Sequence, residues 1–182
     1  AEAGKPLESL EIVTKLLAHK KEGSPEGVFL YAKLATHLGQ AHCLGEAGRL
    51  LAKFAPRPDE TGIEAIRHMT LIHSTLPIAN QSLYRCLELL KINPYSKPID
   101  FLRIHALRFD SASQEHEKRA VLEECAEIFD LNEDSQLEIY CRWLGRLRAF
   151  PRLLEELPSA RARLSEELFK LRMNALAVLK RR

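Results

Sequence analysis

No stretch of the 182 residues approaches the roughly 20 consecutive apolar positions that a membrane-spanning helix needs. The opening Ala1-Glu2-Ala3-Gly4 lacks the charged-then-apolar order of a secretory signal. Cytoplasmic residence is therefore expected, with no membrane span. Charge of one sign is missing too: 27 Lys and Arg against 25 Asp and Glu leave a net charge of +2. Bulk electrostatics does not favour nucleic acid, because diffuse polyanion binding calls for a more basic chain. The four cysteines, Cys43, Cys86, Cys125 and Cys141, are widely scattered with no C-x-x-C pair. That excludes the usual thiolate metal spacing and argues against a disulfide framework. Each is read as a small apolar residue buried in a helix.

Glycine is scarce, at 8 residues, and builds no phosphate cradle: Gly45-Glu46-Ala47-Gly48 lies inside a helical pattern and lacks the following lysine. There is no Gly-x-Ser-x-Gly elbow and no cysteine in an activating turn. Among the histidines, His37 and His42 are separated by a helix break at Gly39. His68 and His73 are five apart, roughly 500° of helical rotation, so they point to different faces. Neither pair has the i,i+4 spacing of a helical zinc site. Glu123, Glu124 and Glu127 have the look of a solvated helix face. No catalytic residue, metal ligand or cofactor site is expected, and the chain is not expected to be an enzyme.

What the sequence does have is amphipathic helix, with 46% hydrophobic and 29% charged residues. No run shows the alternation of a strand, so the fold class is all-α. A first helix is expected over 6–21, with Leu7, Leu10, Val13, Leu16 and Leu17 on one stripe. Ser24-Pro25-Glu26 starts the next, a capping hydroxyl before a proline at the first helical position, and Gly39-Gln40 breaks it. The third runs from about Leu44 to Phe54. Asp59 or Thr61 caps a fourth that stops near Pro77. A fifth spans Asn80 to Ile92, and Pro98 opens a sixth to about Phe109. Asp110-Ser111-Ala112-Ser113 turns into a seventh that ends near Asp130. Asn132 or Asp134 caps an eighth through Phe150. Pro151 and Pro158 bracket a short piece, and a last helix runs from about Ala160.

An apolar triplet recurs through this pattern. Val28, Tyr31 and Leu34 are followed by Pro56, and Ile66, Met69 and Ile72 by Pro94, with 28 positions from first triplet residue to proline in both cases. Phe101, Ile104 and Leu107 repeat it, as do Leu137, Tyr140 and Trp143. The triplets start 38, 35 and 36 residues apart. A unit of that size is one helix–turn–helix, which cannot bury its own apolar face and needs stacked neighbours.

With Cys86 and Leu89 preceding Pro94, and Gly48 and Leu51 preceding Pro56, the chain resembles the tetratricopeptide repeat. The resemblance implies an α-solenoid of antiparallel helix pairs, a right-handed superhelical stack closed by a C-terminal capping helix. The units would be 25–58, 59–96, 97–132 and 133–158, with an N-terminal helix over 6–21 and a C-terminal helix over 159–182, all in one domain. A plain α-solenoid or an irregular bundle is the alternative. The first helices would then line a concave groove presenting Phe29, Lys33, Thr36, Arg67, Leu71 and Ser74. Leu102, Ala106, Glu138 and Arg142 would continue that surface. Such a groove suits a protein or peptide partner carrying acidic groups.

The last helix is locally basic, with Arg161, Arg163, Lys170, Arg172, Lys180, Arg181 and Arg182 against Glu166 and Glu167. Its cations fit either a nucleic-acid or anionic-membrane contact or a capping helix whose C-terminal charge meets the helix dipole. The capping role is the expected one. The chain stops within a helical run, so a piece of a longer protein is also expected.

Overall fold

The computed structural model describes residues 23–76 and 80–180, together with Ile12 and Lys15. The first helix expected over 6–21 lies, apart from those two positions, outside the described residues. Among the described residues there are ten α-helices and no strand. The helices are α1 (Pro25–Leu38), α2 (Ala41–Leu51), α3 (Glu60–Thr75), α4 (Asn80–Ile92) and α5 (Pro98–Ser111). They continue as α6 (Glu115–Ala126), α7 (Asp134–Arg146), α8 (Phe150–Glu156), α9 (Ser159–Ala162) and α10 (Glu166–Lys180). None of them is long and apolar enough to cross a membrane. The chain divides into two compact units, Ala1–Ser111 and Ala112–Arg182. That division falls inside the expected third helix pair, 97–132.

The first unit is organised around α3. Its neighbours α1, α2, α4 and α5 all pack on it, and it buries Gly62, Ile63, Ala65, Ile66, His68, Thr70 and Ile72. Burial on several sides marks a central helix, whereas α1 buries the single stripe Val28, Tyr31, Ala32 and Ala35. Cys43, Leu44, Ala47 and Leu51 of α2 and Leu83, Cys86, Leu87 and Leu90 of α4 close on the same core. Each fully buried aliphatic side chain here contributes on the order of 1.5–3 kcal/mol. The helices begin and end for local reasons. Ser24 Oγ accepts from the Gly27 amide at 3.3 Å, with Pro25 at the first helical position. Gly39, at φ 65°, takes the left-handed cap, its N–H donating to the Ala35 carbonyl at 3.0 Å. Because α2 starts directly after this cap, it occupies Ala41–Leu51 rather than Leu44 to Phe54.

The second unit closes α7, α8 and α10 on one another, with α9 against α10. Tyr140 is its pivot. Fully buried, it packs on Phe129 and Trp143 at centroid distances of 5.6 and 5.8 Å. Its hydroxyl donates to the Leu122 carbonyl at 3.0 Å, which ties α6 to α7. Burial pushes the Tyr140 phenol far above its ordinary pKa, so the hydroxyl remains a donor.

Boundaries in the second unit depart from the sequence expectation as well. Neither Asn132 nor Asp134 caps α7, because Glu133 holds that position. The last helix is interrupted between Ala162 and Glu166. The eighth expected helix stops at Arg146 instead of reaching Phe150. There Arg148 adopts φ 57°, the Ala149 amide donates to the Leu144 carbonyl at 3.0 Å, and the Arg148 amide to Gly145 at 3.2 Å. This is a Schellman ending with arginine where glycine usually stands.

An exposed arginine in the left-handed region carries strain that glycine would not. Arg148→Gly is expected to stabilise the protein by about 0.5–1 kcal/mol in urea unfolding. Arg146→Gly, inside the helix, is expected to lower stability by a similar amount.

Candidate functional site

One concavity of the first unit is a recess of about 370 Å³ lined by Phe29, Glu60, Thr61, Ile63, Glu64, Arg67, Tyr95 and Lys97. Phe29 comes from α1, the next five from the first turns of α3, and Tyr95 and Lys97 from the loop leading into α5. Each wall is fixed by its own chemistry. Asp59 caps α3, its Oδ1 accepting from the Gly62 amide at 3.0 Å. That bond, aided by Arg57, holds the Asp59 carboxyl below the usual carboxylate range. Buried Asn93 donates through Nδ2 to the carbonyls of Arg57 and Asp59 at 2.9 and 3.0 Å. Its Oδ1 accepts from the Tyr95 amide at 3.0 Å. The loop before α3 and the loop before α5 are thereby fastened together. Gly62 sits within this junction, where an added Cβ would lie 1.9 Å from the Arg57 carbonyl oxygen. No larger residue fits there without moving the backbone.

The recess floor is electrostatic. Arg67 on α3 donates from Nε and Nη2 to the two carboxylate oxygens of Asp100 on α5, at 2.8 and 3.0 Å. The Asp100 side chain is only 2% exposed, against 31% for Arg67. Asp100 also accepts from the Lys97 amide at 3.1 Å, which caps the start of α5. The Asp100 hydrogen bond outweighs desolvation and raises the Arg67 pKa. Next to Arg67, the His68 ring stacks on Phe29 with centroids 5.4 Å apart. Burial lowers the His68 pKa; Glu64 opposes that shift and Lys33 adds to it. His73 is likewise pushed down by burial.

The structure distributes the expected groove residues unevenly. Phe29 and Arg67 line the recess, although Arg67 is committed to Asp100 rather than free. Lys33 is exposed on α1, and Leu71 is 51% exposed on α3. The hydroxyl of Thr36 donates to Ala32 and that of Ser74 to Leu71, so both serve their own helices. Leu102 is buried at 3% exposure and offers no surface, and Ala106 is half-buried. Glu138 and Arg142 lie in the second unit, where Arg142 Nη2 reaches Glu138 at 2.6 Å and Glu167 at 3.4 Å. The recess residues that the groove expectation did not include are Glu60, Thr61, Ile63, Glu64, Tyr95 and Lys97. Tyr95 lies in the Asn93-Pro94-Tyr95-Ser96 stretch that follows the fifth expected helix, and Lys97 directly precedes the Pro98 that opens the sixth.

The basic C-terminal segment has internal partners. Arg161 donates to the carbonyls of Leu131 and Asn132 and to the Asp134 carboxylate, clasping the turn before α7. Arg172 donates to the Leu154 and Leu157 carbonyls and satisfies the C-terminus of α8. Lys170 pairs with Glu166 at 2.6 Å. Arg181 and Arg182 lie outside the described residues.

All four cysteines are buried, and none of them forms a disulfide. Burial pushes the Cys86 thiol up to about 11 and Cys141 up to about 12, so both stay protonated near neutral pH. His42 Nε2 lies 3.1 Å from Cys43 Sγ, but Cys43 is only 3% exposed. Among the described residues no group of three His, Cys, Asp or Glu is placed to hold a metal ion. No known protein family, curated protein or solved structure matches the chain.

Two histidines held neutral by burial make stability depend on pH with a definite sign. Their folded pKa values lie below the unfolded value of about 6.5, so the unfolded state binds protons first on acidification. Stability is full above about pH 6.5 and falls as pH drops below it. Thermal unfolding should show Tm declining from about pH 7 to pH 5, and His68→Gln/His73→Gln should flatten that decline.

Proposed function

We propose that the chain is a non-catalytic docking module whose first unit receives a protein or peptide segment in the recess between α1, α3 and the start of α5. The observation that carries this reading is the composition of the recess. Phe29, Ile63 and Tyr95 supply apolar ground, Glu60 and Glu64 stand on the α3 wall, and exposed Lys97 supplies a cation on the wall formed by the loop before α5. Pockets that orient a partner combine such a floor with a few placed polar groups. The occupant that fits is a peptide with an apolar anchor beside an acidic residue, the anchor against Phe29 and Tyr95 and the acid toward Lys97. Rigid walls favour this use, because a docking surface already fixed by Asn93 and Asp100 loses little entropy on binding.

The helix order of the first unit supports a tetratricopeptide-like α-solenoid. In it α1 packs on α2 and α3, and α3 on α4 and α5. First helices of successive pairs are thus neighbours, as stacked helix pairs require. The alternative use of the C-terminal helix on nucleic acid is disfavoured by the internal partners of Arg161, Lys170 and Arg172.

Peptides selected from a random display library against the whole chain should carry an apolar residue next to Asp or Glu. Thr61→Arg, which obstructs the recess, and Lys97→Glu, which reverses its cation, should each weaken such peptides about tenfold, or about 1.4 kcal/mol. Lys170→Glu on α10 should leave them unchanged. Peptides that bind both recess variants undiminished would place docking elsewhere. Duplex DNA bound with an affinity falling by powers of ten between about 50 and 200 mM salt would replace this reading altogether.

A further inference from the structure

A second chamber lies in the first unit, away from the recess, among α2, α3 and α4. It is open to one side, about 260 Å³ in volume, and its walls are mainly apolar, with Met69, Ile72 and Leu89 among them. The space exists because α2 presents Gly45 and Gly48 to it; a Cβ added at either would meet nothing within 4 Å. Well-packed interiors rarely leave a space of this size between helices.

The polar groups of the chamber are few and of one character. Ser82 and Arg85 are three apart on α4, hence neighbours on one face. Ser82 Oγ lies 3.1 Å from His73 Nε2. When that hydroxyl donates to Nε2, the ring proton sits on Nδ1. His73 Nδ1 is buried and finds no partner among the described residues. In that tautomer a buried donor is left without an acceptor, which is unfavourable and calls for an explanation. Arg85 lines the same chamber, and among the described residues no carboxylate lines it to balance the guanidinium.

We propose that the chamber between α2, α3 and α4 binds a small monocarboxylic acid with an apolar body, its carboxylate held by Arg85 and His73. The tail replaces water against Met69, Ile72 and Leu89. One carboxylate oxygen accepts from His73 Nδ1 and the other from Arg85, a charge-assisted arrangement. A chamber of this volume equals roughly nine waters at about 30 Å³ each, which suits a linear acid of about eight to ten non-hydrogen atoms. The site shares no residue with the recess and stands whether or not that surface docks a peptide.

Calorimetric titration of the full chain with octanoate tests the assignment, with octan-1-ol and octylamine as probes of the same body and different heads. Octanoate should bind with Kd of about 100 µM and at least about tenfold tighter than either comparator. Gly48→Leu, which fills the chamber from a helical position with open space, should abolish octanoate binding. Arg85→Gln should weaken octanoate about fivefold or more and leave octan-1-ol unchanged. Absent octanoate binding, or octan-1-ol binding as tightly, overturns the proposal. So does octanoate affinity that survives both substitutions.

Discussion

A carboxylate withdrawn from water holds the first unit together. Asp100 sits almost wholly buried at the start of α5, and its two oxygens are taken by a guanidinium thirty-three residues earlier on α3. Such a group is tolerable only when its lone pairs are satisfied. Here they are, by Arg67 and by the Lys97 amide. The same atoms therefore neutralise a buried charge, cap α5 and fix the distance between α3 and α5. Arg67 is part-exposed and screened, so the pair acts more as a positioning device than as a large store of stability. The recess follows from that geometry, because Arg67 forms its floor while Lys97, one turn before Asp100, forms its rim.

The loops reinforce the arrangement from the other side. Asn93 reaches back to two carbonyls of the preceding loop, and Gly62 allows that loop to approach the first turn of α3. Both prolines of the recurring pattern, Pro56 and Pro94, lie in or beside these two loops. The two prolines thus flank one junction, where the loop before α3 and the loop before α5 are fastened by a side-chain amide rather than by apolar contact alone. In the second unit the comparable work falls to arginines. Arg161 and Arg172 satisfy carbonyls at the entrance to α7 and the exit from α8, which turns a basic C-terminal sequence into internal clasps.

Much of the architecture was legible in the sequence wherever local chemistry decides it. Ser24 with Pro25, Asp59 and Gly39 each announce a helix end, and each acts there in the structure. The apolar stripe of α1 is likewise readable from spacing. What could not be read depends on partners far away in the chain or on a rule that the chain breaks. Arg148 ends α7 in a conformation normally signalled by glycine, so no residue type betrayed it. Arg67 looked like a free groove cation because its partner, Asp100, belongs to another helix. Leu102 matched the groove position by repeat spacing but is buried. Tyr95 and Lys97 read only as loop, since their place at the recess is set by the hydrogen bonds of Asn93.

The claim that α3 and α5 are held in register by one ion pair is open to a direct check by a double-mutant cycle on Arg67 and Asp100. Urea unfolding of Arg67→Ala, Asp100→Ala and the double variant would give their coupling energy. A coupling of about 1.5–3 kcal/mol, with the double variant losing less than the two single losses added together, is the expected result. Single losses that add within about 0.3–0.5 kcal/mol would mean that the two side chains act separately, and that something else sets the spacing of the recess walls.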